Sequence, residues 1–512
     1  MSTRRLEGLL SGVVILSTFL DTTLNMCMAQ EEFPTAVWLR DFPGPSAPFP
    51  VDVLRTEGGL DVSSPAYGPL IIPDSLPLYL PSNCTVDCRV KPAEMGFEII
   101  YQITNPTQEP QALPTLQLAS QMLGPVVDFM DHRFGCEWIP LDASSGDAVW
   151  SPCDYYPRSL YAPVIVARNS QVAVGVSLIH DVFAHGHEIR TYLGRAADGT
   201  QYGDAWNMKF YLDGTIPART IWQYAVVVRY AWPEDWIYTL APYKAFLHHF
   251  YGDVQYRQNR QPVWATSIGD SLRVSPDNPR GFRDTRPDLN GWQADVDYIL
   301  DWAPTAGYKR VLVWTPAGVY DENPQNNFPP QIMHEWLTPM IDSELEWRRI
   351  RAQNIALLFW WGRSGAYADQ WNDPTLETFD YDNDVQFDSM LDQWRLAVYR
   401  GASGLGLDKF TQMWCGDQVR WLKAMWSVKP NALFVAEPAA YDILHLQVPT
   451  FLYADDLDAG PHLLADYLAP GREMWVILHD DDTLDHARYL QNECGMTIVY
   501  RGRDFTAHDL LR

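Results

Sequence analysis

The sequence has little positive charge and no long apolar runs beyond its first 30 residues. Its 512 residues include 38 Lys and Arg against 64 Asp and Glu, which gives a formal net charge of −26. An acidic excess of this size repels phosphate backbones, so we expect no nucleic-acid partner. No later apolar run reaches the roughly 20 residues that a membrane-spanning helix requires. We therefore also expect no membrane span.

Signatures of several enzyme classes are missing as well. The chain has no P-loop, no GxGxxG before a helix and no HExxH, and Gly401–Leu405 lacks the final glycine of a nucleophile elbow. The apolar run at 263–268 holds no His-x-His pair, which a metal-dependent amidohydrolase barrel would need. The sequence thus indicates neither a metal nor a cofactor, and we expect neither.

The first 29 residues have the pattern of a secretory signal. Two arginines precede an apolar run of about a dozen residues at Leu9–Leu20, which is too short to span a bilayer. Ala29 supplies a small residue at the expected cleavage point. Lipoprotein processing at Cys27 is the alternative, but Leu24–Met26 before it lacks the small residues that such a site prefers. We expect a secreted or periplasmic protein.

Cysteine is scarce, with seven residues in the chain, and Cys27 falls within the predicted signal. Export would allow the other six to form disulfides. For the first four of these, two disulfides fit better than a zinc site, because their spacing suits zinc poorly. The last two either pair or stay free and buried. The six are Cys84, Cys88, Cys136, Cys153, Cys415 and Cys494.

The residues from 31 to 245 are predicted to be β-rich. Phe97–Ile103 alternates between apolar and polar side chains, Val164–Leu178 holds two short strands, and Ile221–Tyr230 is another. Short strands separated by turn residues are typical of an antiparallel sandwich. A helix is expected at 237–251. The predicted division is a signal peptide at 1–29, a β-sandwich at 30–245, a linker at 246–261 and a (β/α)8 barrel at 262–512.

From residue 262 onward, short apolar runs alternate with segments of helical length. Eight such units fill about 250 residues, the size expected of a (β/α)8 TIM barrel. Nearly continuous apolar strands are typical of parallel sheets, because both faces are buried. The main alternative is a doubly wound sheet, and the absence of a Gly-rich loop after the first strand argues against it. The predicted strands are 263–268, 310–314, 355–361, 404–408, 432–437, 450–455, 474–478 and 496–500.

The predicted strand ends collect carboxylates, tryptophans and a few cations. Barrel enzymes carry their chemistry at this end of the strands. The chain has 21 tryptophans, far more than an average chain of this length, and most of them are expected to pack in the core. A few at the rim suit a sugar, whose C–H face stacks on aromatic rings while its hydroxyls bond carboxylates and arginine.

Hydrolysis of a glycoside requires two carboxyl groups. One protonates the leaving oxygen, and the other attacks the anomeric carbon or activates water. A separation of about 5–5.5 Å is typical of retention and one of roughly 6.5–9.5 Å of inversion. A barrel that cleaves glycosides is therefore expected to carry a pair of carboxylates among its strand ends.

Two of the strand ends resemble those of a known family. Gly404–Lys409 is similar to the strand that carries the nucleophilic Asp of the α-galactosidase-type (clan D) glycoside hydrolases. Tyr453–Ala459 is similar to the segment that carries their acid/base. A β-sandwich before the barrel also resembles the larger members. The resemblance implies that Asp408 is the nucleophile and Asp455 the acid/base.

Other carboxylates compete for the acid/base role. Asp456 is either the true acid or, like Asp455, a cap of the next helix. Glu437 ends the fifth predicted strand and also suits a general acid. A cation site at 480–482 is a weaker alternative to helix capping there. The residues expected to bind substrate are Trp314, Trp360, Trp361, Arg363, Lys409, Asp456 and Asp480.

Two functions remain open at this stage. The first is an exported glycoside hydrolase-like protein of the retaining type that acts on an oligosaccharide or polysaccharide. The second is a non-catalytic carbohydrate-binding or surface-assembly protein that keeps a glycosidase fold. The chain favours the second where it departs from the family, because Gly406 replaces the usual Lys and Ala454 replaces the usual Ser. Neither the sugar nor the oligomeric state is predicted.

Overall fold

A computed structural model of the chain contains two regions, a set of antiparallel sheets and then a closed parallel barrel. This architecture confirms the predicted fold class. The residues that the structure describes are 42–65, 67–74, 83–118, 128–131, 137–140, 154–157, 160–185, 188–194, 207–269, 275–278, 291–314, 344–367, 377–437, 441–453, 463–479 and 481–511.

The first region consists of short strands joined by turns. They are β1 (Asp52–Thr56), β2 (Gly59–Ser64), β3 (Tyr67–Pro73), β4 (Thr85–Ala93), β5 (Gly96–Thr104), β6 (Gln111–Ala112), β7 (Thr115–Leu118), β8 (Asp128–Asp131), β9 (Glu137–Pro140), β10 (Asp154–Tyr156), β11 (Val164–Arg168), β12 (Ala173–Ile179), β13 (Glu188–Gly194), β14 (Asn207–Asp213), β15 (Thr215–Ile216) and β16 (Ile221–Ala231). The largest sheet has the order β4-β5-β16-β12-β11-β8-β9, and a second has the order β10-β13-β14-β7.

These two sheets share one hydrophobic core. Phe97, Ile99 and Tyr101 enter it from β5, and Met208 and Phe210 enter it from β14, all fully buried. Successive residues of a strand face opposite sides of the sheet, so the alternation along β5 sends every second side chain inward. Two antiparallel sheets around a common core form a β-sandwich, as predicted.

The barrel closes from eight parallel strands, and a small antiparallel hairpin lies between the third and the fourth. In chain order the strands are β17 (Val263–Ser267), β18 (Arg310–Trp314), β19 (Ala356–Trp361), the hairpin strands β20 (Ala366–Tyr367) and β21 (Glu377–Thr378), β22 (Gly404–Leu407), β23 (Leu433–Ala436), β24 (Thr450–Tyr453), β25 (Met474–Ile477) and β26 (Thr497–Tyr500). Strand β17 pairs with both β18 and β26, which closes the barrel.

Each barrel strand buries both of its faces. On β18, Leu312 lies in the barrel interior, whereas Val311 and Val313 pack between the barrel and the surrounding helices. All three are fully buried. This double burial explains why the strands appear in the sequence as continuous apolar runs.

Ten α-helices occur among the described residues, and most of them follow a barrel strand. They are α1 (Val182–His185), α2 (Ala241–Tyr251), α3 (Gly291–Trp302), α4 (Glu344–Ala352), α5 (Asp384–Arg400), α6 (Cys415–Val428), α7 (Asp442–Gln447), α8 (Leu463–Leu468), α9 (Leu484–Arg488) and α10 (Ala507–Leu510). The side chain of Asn383 caps α5 by accepting hydrogen bonds from the N–H groups of Val385 and Gln386, and α5 ends at left-handed Gly401.

The N-terminal end of the barrel is sealed by charged groups and by the chain that enters from α2. Glu473 lies just before β25 and accepts hydrogen bonds from Trp475 Nε1 at 2.8 Å and Thr497 Oγ1 at 2.7 Å. Its other oxygen accepts the N–H of Asn259 at 2.7 Å. Arg310 lies 3.7 Å from Glu473 and donates to the carbonyl oxygens of Asn259 and Gln261. All of these groups serve the stability of this end of the barrel.

The structure decides one of the cysteine pairings that the sequence left open. Cys415, the first residue of α6, has a free and fully buried thiol, so it does not pair with Cys494. Burial raises the pKa of this thiol. Of the first four cysteines, Cys136 and Cys153 lie outside the described residues.

Candidate active site

Asp408 directly follows β22 at the C-terminal end of the barrel. Its side chain is 8% exposed, and its Oδ2 accepts a hydrogen bond from the backbone N–H of Arg363 at 2.8 Å. Its own N–H donates to the carbonyl of Trp361 at 3.0 Å. These bonds fix the direction of a carboxylate that stands where barrel enzymes place their chemistry.

The loop after β19 is fitted closely against Asp408. Both the N–H and the Oγ of Ser364 donate to the carbonyl oxygen of Asp408 at 2.8 Å. Arg363 has a left-handed backbone, with φ of 53°. At Gly365 an added Cβ would stand 2.7 Å from the carbonyl oxygen of Lys409, so no larger residue fits there without movement. The two strand ends therefore support each other.

Glu437 ends the neighbouring strand and is half-buried. It follows Ala436, which pairs with Leu407, so Asp408 and Glu437 occupy matching positions on adjacent strands. Adjacent strands lie about 4.8 Å apart. The N–H of Glu437 donates to the carbonyl of Leu407, and the N–H of Phe410 donates to that of Glu437, each at 2.9 Å. The structure thus places two of the predicted catalytic residues at matching positions on neighbouring strand ends.

Aromatic rings fill the barrel interior beneath these carboxylates. The ring centroids of Trp314 and Trp360 are 4.2 Å apart, and Phe451 lies 5.1 Å from Trp360. Trp360 is almost fully buried, whereas Trp314 is half-buried. Trp314 is therefore the more accessible of the two rings.

Gly406 makes room for one of these rings. A Cβ built on Gly406 would lie 2.2 Å from Cε3 of Trp360. No real contact is that short, so a residue with a side chain at 406 requires Trp360 to move. The indole ring of Trp360 thus occupies the space that a side chain at position 406 would enter.

Trp361 does not join this group. It is fully buried and packs against Trp421 of α6, with ring centroids 6.3 Å apart, between the barrel and the helices. It therefore lies on the opposite face of β19 from Trp360. The remaining predicted cations lie close to Asp408: Arg363 is buried, and Lys409 is half-buried and left-handed, with φ of 49°.

Three predicted site residues lie outside the described residues. They are Asp455, Asp456 and Asp480. Next to the last of these, Asp482 accepts the N–H of His479 at 2.6 Å and pairs with Nδ1 of His486 at 2.6 Å, while Thr483 caps α9 by accepting the N–H of His486. Asp482 therefore stabilises the turn before α9, whereas the N-cap of that helix is Thr483.

Two supporting residues were missed by the sequence reasoning. Ser364 holds the backbone of Asp408, and Phe451 packs against both tryptophans of the interior. Phe451 lies at an inward position of β24, but a strand buried on both faces does not show in its sequence which side chains face inward. Ser364 gave no signal either, because its partner is 44 residues away in the chain.

Neither a metal centre nor a membrane span emerges from the part of the chain that the structure describes. Within it, no three His, Cys, Asp or Glu side chains gather as a metal site would require. None of its helices combines the length and the apolar character needed to cross a membrane.

Comparison with known proteins gives a structural match only. No protein-family model matches the sequence, and no curated protein sequence does so either. Three structures of α-N-acetylgalactosaminidase NagBb from Bifidobacterium bifidum resemble the chain. A quadruple mutant has a TM-score of 0.54 at 13% identity over 93% of this chain and 85% of its own. The ligand-free enzyme gives 0.54 at 13% over 92% and 84%, and the GalNAc complex gives 0.51 at 12% over 91% and 83%.

At such low identity the likeness concerns the fold. It covers both the antiparallel sheets and the barrel, because more than nine-tenths of the chain is aligned in each case. It agrees with the resemblance that the strand ends of the sequence suggested. The chain has a (β/α)8 TIM barrel preceded by antiparallel β-sheets, and this fold is similar to that of the three structures.

Proposed function

We propose that this protein is an exported, retaining glycoside hydrolase whose nucleophile is Asp408. The observation that carries the proposal is the placement of the Asp408 carboxylate. It is buried at the C-terminal end of the barrel, it is held by the N–H of Arg363, and it lies beside Glu437 and above an aromatic floor. A fixed carboxylate beside a second one is the arrangement that glycoside cleavage requires.

In the proposed reaction, an oxygen of Asp408 attacks the anomeric carbon and forms a glycosyl ester. The bond to the leaving oxygen breaks with its electron pair, and that oxygen takes a proton from the acid/base carboxyl. The same carboxylate then removes a proton from water, which attacks the anomeric carbon and releases Asp408. No cofactor takes part in these steps.

The acid/base in this scheme is Asp455, with Glu437 and Asp456 as competitors. Glu437 is supported by its position on the strand next to Asp408. Asp455 is supported by the family resemblance alone. Replacement of each by Gln or Asn separates them, because loss of the acid spares substrates with acidic leaving groups, which need no protonation.

The sugar is proposed to stack on Trp314, the half-buried member of the aromatic pair. Trp360 is too buried for direct contact. Because the similar structures are of an α-N-acetylgalactosaminidase, the substrate panel begins with α-linked N-acetylgalactosamine. Other α- and β-linked sugars follow.

The decisive experiment compares wild-type protein and Asp408→Asn on that panel, with product anomers followed by NMR. The proposal expects hydrolysis with retention by the wild type and its loss in the variant. Unchanged activity in Asp408→Asn would eliminate the nucleophile. Export is tested separately by N-terminal sequencing of protein from the culture medium or periplasm, which should begin near Gln30.

The second candidate is a non-catalytic carbohydrate-binding protein. The observation that favours it is the Trp360 ring beside Gly406, since position 406 usually holds a lysine in the family that the chain resembles. In that case sugars bind and no panel member is cleaved, and Asp408→Asn still binds them.

A further inference from the structure

A buried carboxylate outside the candidate active site joins the two regions of the molecule. Asp442, the first residue of α7, is fully buried. Tyr156 of β10 donates to its Oδ1 at 2.9 Å, and Tyr243 of α2 donates to its Oδ2 at 2.5 Å. The N–H of Asp442 donates to the carbonyl of Tyr161 at 2.9 Å. One carboxyl thus ties the barrel to the antiparallel region and to the helix that follows it.

This junction lies on the same side of the barrel as the candidate active site. The chain enters α6 after β22 and Asp408, and it enters α7 after β23 and Glu437. The N-terminal end of a helix that follows a barrel strand lies toward the C-terminal ends of the strands. Asp442 therefore lies at the end of the barrel that carries Asp408 and Glu437.

Hydrogen bonds connect the junction to the loop of Asp408. The hydroxyl of Tyr441 donates to Oε1 of Gln418 at 2.5 Å, and Nε2 of Gln418 donates to the carbonyl of Met413 at 2.8 Å. Met413 ends the short 3₁₀ turn Phe410–Gln412, whose first N–H donates to the carbonyl of Glu437. Tyr441 and Gln418 are both buried.

The surroundings of Asp442 supply donors and few charges. Burial raises its pKa from 3.8 to about 7, while the hydrogen bonds from Tyr243, Tyr156 and the N–H of Ile443 oppose that rise. The carboxyl also raises the pKa of Tyr156 and Tyr243, beyond the larger effect of their own burial. The other titratable groups of the junction are Tyr161, Asp181, Lys244, Tyr251, Cys415, Tyr441, His445, Asp466 and Arg472.

We propose that Asp442 is a positioning residue, which holds the loops of Asp408 and Glu437 by clasping Tyr156 and Tyr243 across the junction. The antiparallel region is then part of the support of the active site. The effect on catalysis rests on the proposed function, whereas the effect on the loops does not.

The test measures amide hydrogen exchange at Phe410 and Glu437 in the full chain. Tyr156→Phe, Tyr243→Phe and Asp442→Ala each remove hydrogen bonds of the clasp, and Asp442→Asn keeps its shape and most of its bonds. Tyr308→Phe is the matched control, because its buried hydroxyl donates to the carbonyl of Phe505 at 2.8 Å, away from the junction.

The clasp variants should exchange at both amides about tenfold faster or more, as expected when a buried hydrogen-bonding group loses its partner. In Asp442→Asn both amides should exchange at rates close to those of the wild type. Tyr308→Phe should leave both rates unchanged. The inference fails if the clasp variants lower the melting temperature as the control does and leave the two rates unchanged. The two tyrosine variants keep this test usable if Asp442→Ala does not fold.

With a substrate that the wild type cleaves, the clasp variants should lower kcat at similar KM, and Asp442→Asn should recover most of it. Absence of cleavage by the wild type would sink the proposed function and would leave the exchange rates to decide the role of Asp442. Unaltered kcat together with faster exchange would limit Asp442 to holding the loops and would overturn its role in catalysis.

Discussion

Asp408 and Asp442 are both buried carboxylates that follow barrel strands, but their partners differ. Asp408 receives one backbone N–H at Oδ2 and lies at the open end of an aromatic-lined interior. Asp442 receives two tyrosine hydroxyls and a backbone N–H and is sealed between two regions of the molecule. The comparison teaches that burial of a carboxylate does not identify its role, because the proposed nucleophile and the proposed positioning residue are both buried and differ in their partners.

Asp408→Asn should have the largest effect. Loss of a nucleophile is expected to lower kcat by about 10⁴-fold or more. Circular dichroism and melting temperature should stay close to the wild type, because Asn can still accept the N–H of Arg363. Asp388→Asn, an exposed residue of α5, is the control and should keep full activity. A variant of Asp408 with wild-type kcat would remove the difference between the two carboxylates.

Asp442 should give the next largest effect, through the pH dependence of stability. Its pKa is about 7 when folded and near 3.8 when unfolded, so its stabilising contribution is complete below pH 4 and is lost as the pH rises through 7. Between pH 4 and 8 the wild type should therefore lose on the order of a few kcal/mol relative to Asp442→Asn, which does not titrate. Urea unfolding of both proteins at several pH values measures this difference. Parallel pH profiles would contradict the raised pKa.

Gly406→Ala should disturb the rim and leave the junction intact. The added Cβ would overlap Trp360, and such overpacking costs about 1–3 kcal/mol in the free energy of unfolding. A second change, Trp360→Phe, should restore part of the loss by supplying space. Gly58→Ala is the matched control, since nothing lies within 4 Å of its added Cβ. Equal stability of the Gly406 and Gly58 variants would show that the ring adapts freely.

Ser364→Ala should have the smallest effect. It removes one hydrogen bond to the carbonyl of Asp408 but leaves the bond from the backbone N–H of Ser364 in place. The expected loss in the free energy of unfolding is about 1 kcal/mol. A fall in kcat beyond about tenfold, measured on the same substrate, would place Ser364 among the groups that orient Asp408 for reaction.

The barrel was predictable from the sequence to within two residues at each strand. Strand β18, predicted at 310–314, is found at Arg310–Trp314, because a strand buried on both faces is an uninterrupted apolar run between polar segments. The end of the apolar run of β22 likewise identified Asp408 as a residue at a strand end.

Features that depend on distant partners were not predictable. Trp360 and Trp361 are neighbours in sequence, and only the register of β19 in the closed barrel assigns one to the interior and the other to the helix layer. Asp442 has partners 286 and 199 residues earlier in the chain. No local pattern records such contacts, because they arise when two separately formed regions dock.

The close fit between Gly406 and Trp360 restricts the order in which these two positions can mutate. A longer side chain at 406 is incompatible with the indole ring beside it, whereas a smaller residue at 360 is compatible with glycine at 406. Evolution or engineering toward a lysine at 406 therefore has a preferred order, with the ring reduced first and the lysine acquired second. The intermediate with a small residue at 360 contains a cavity in the barrel, which lowers its stability. The rest of the protein must therefore be stable enough to tolerate this loss.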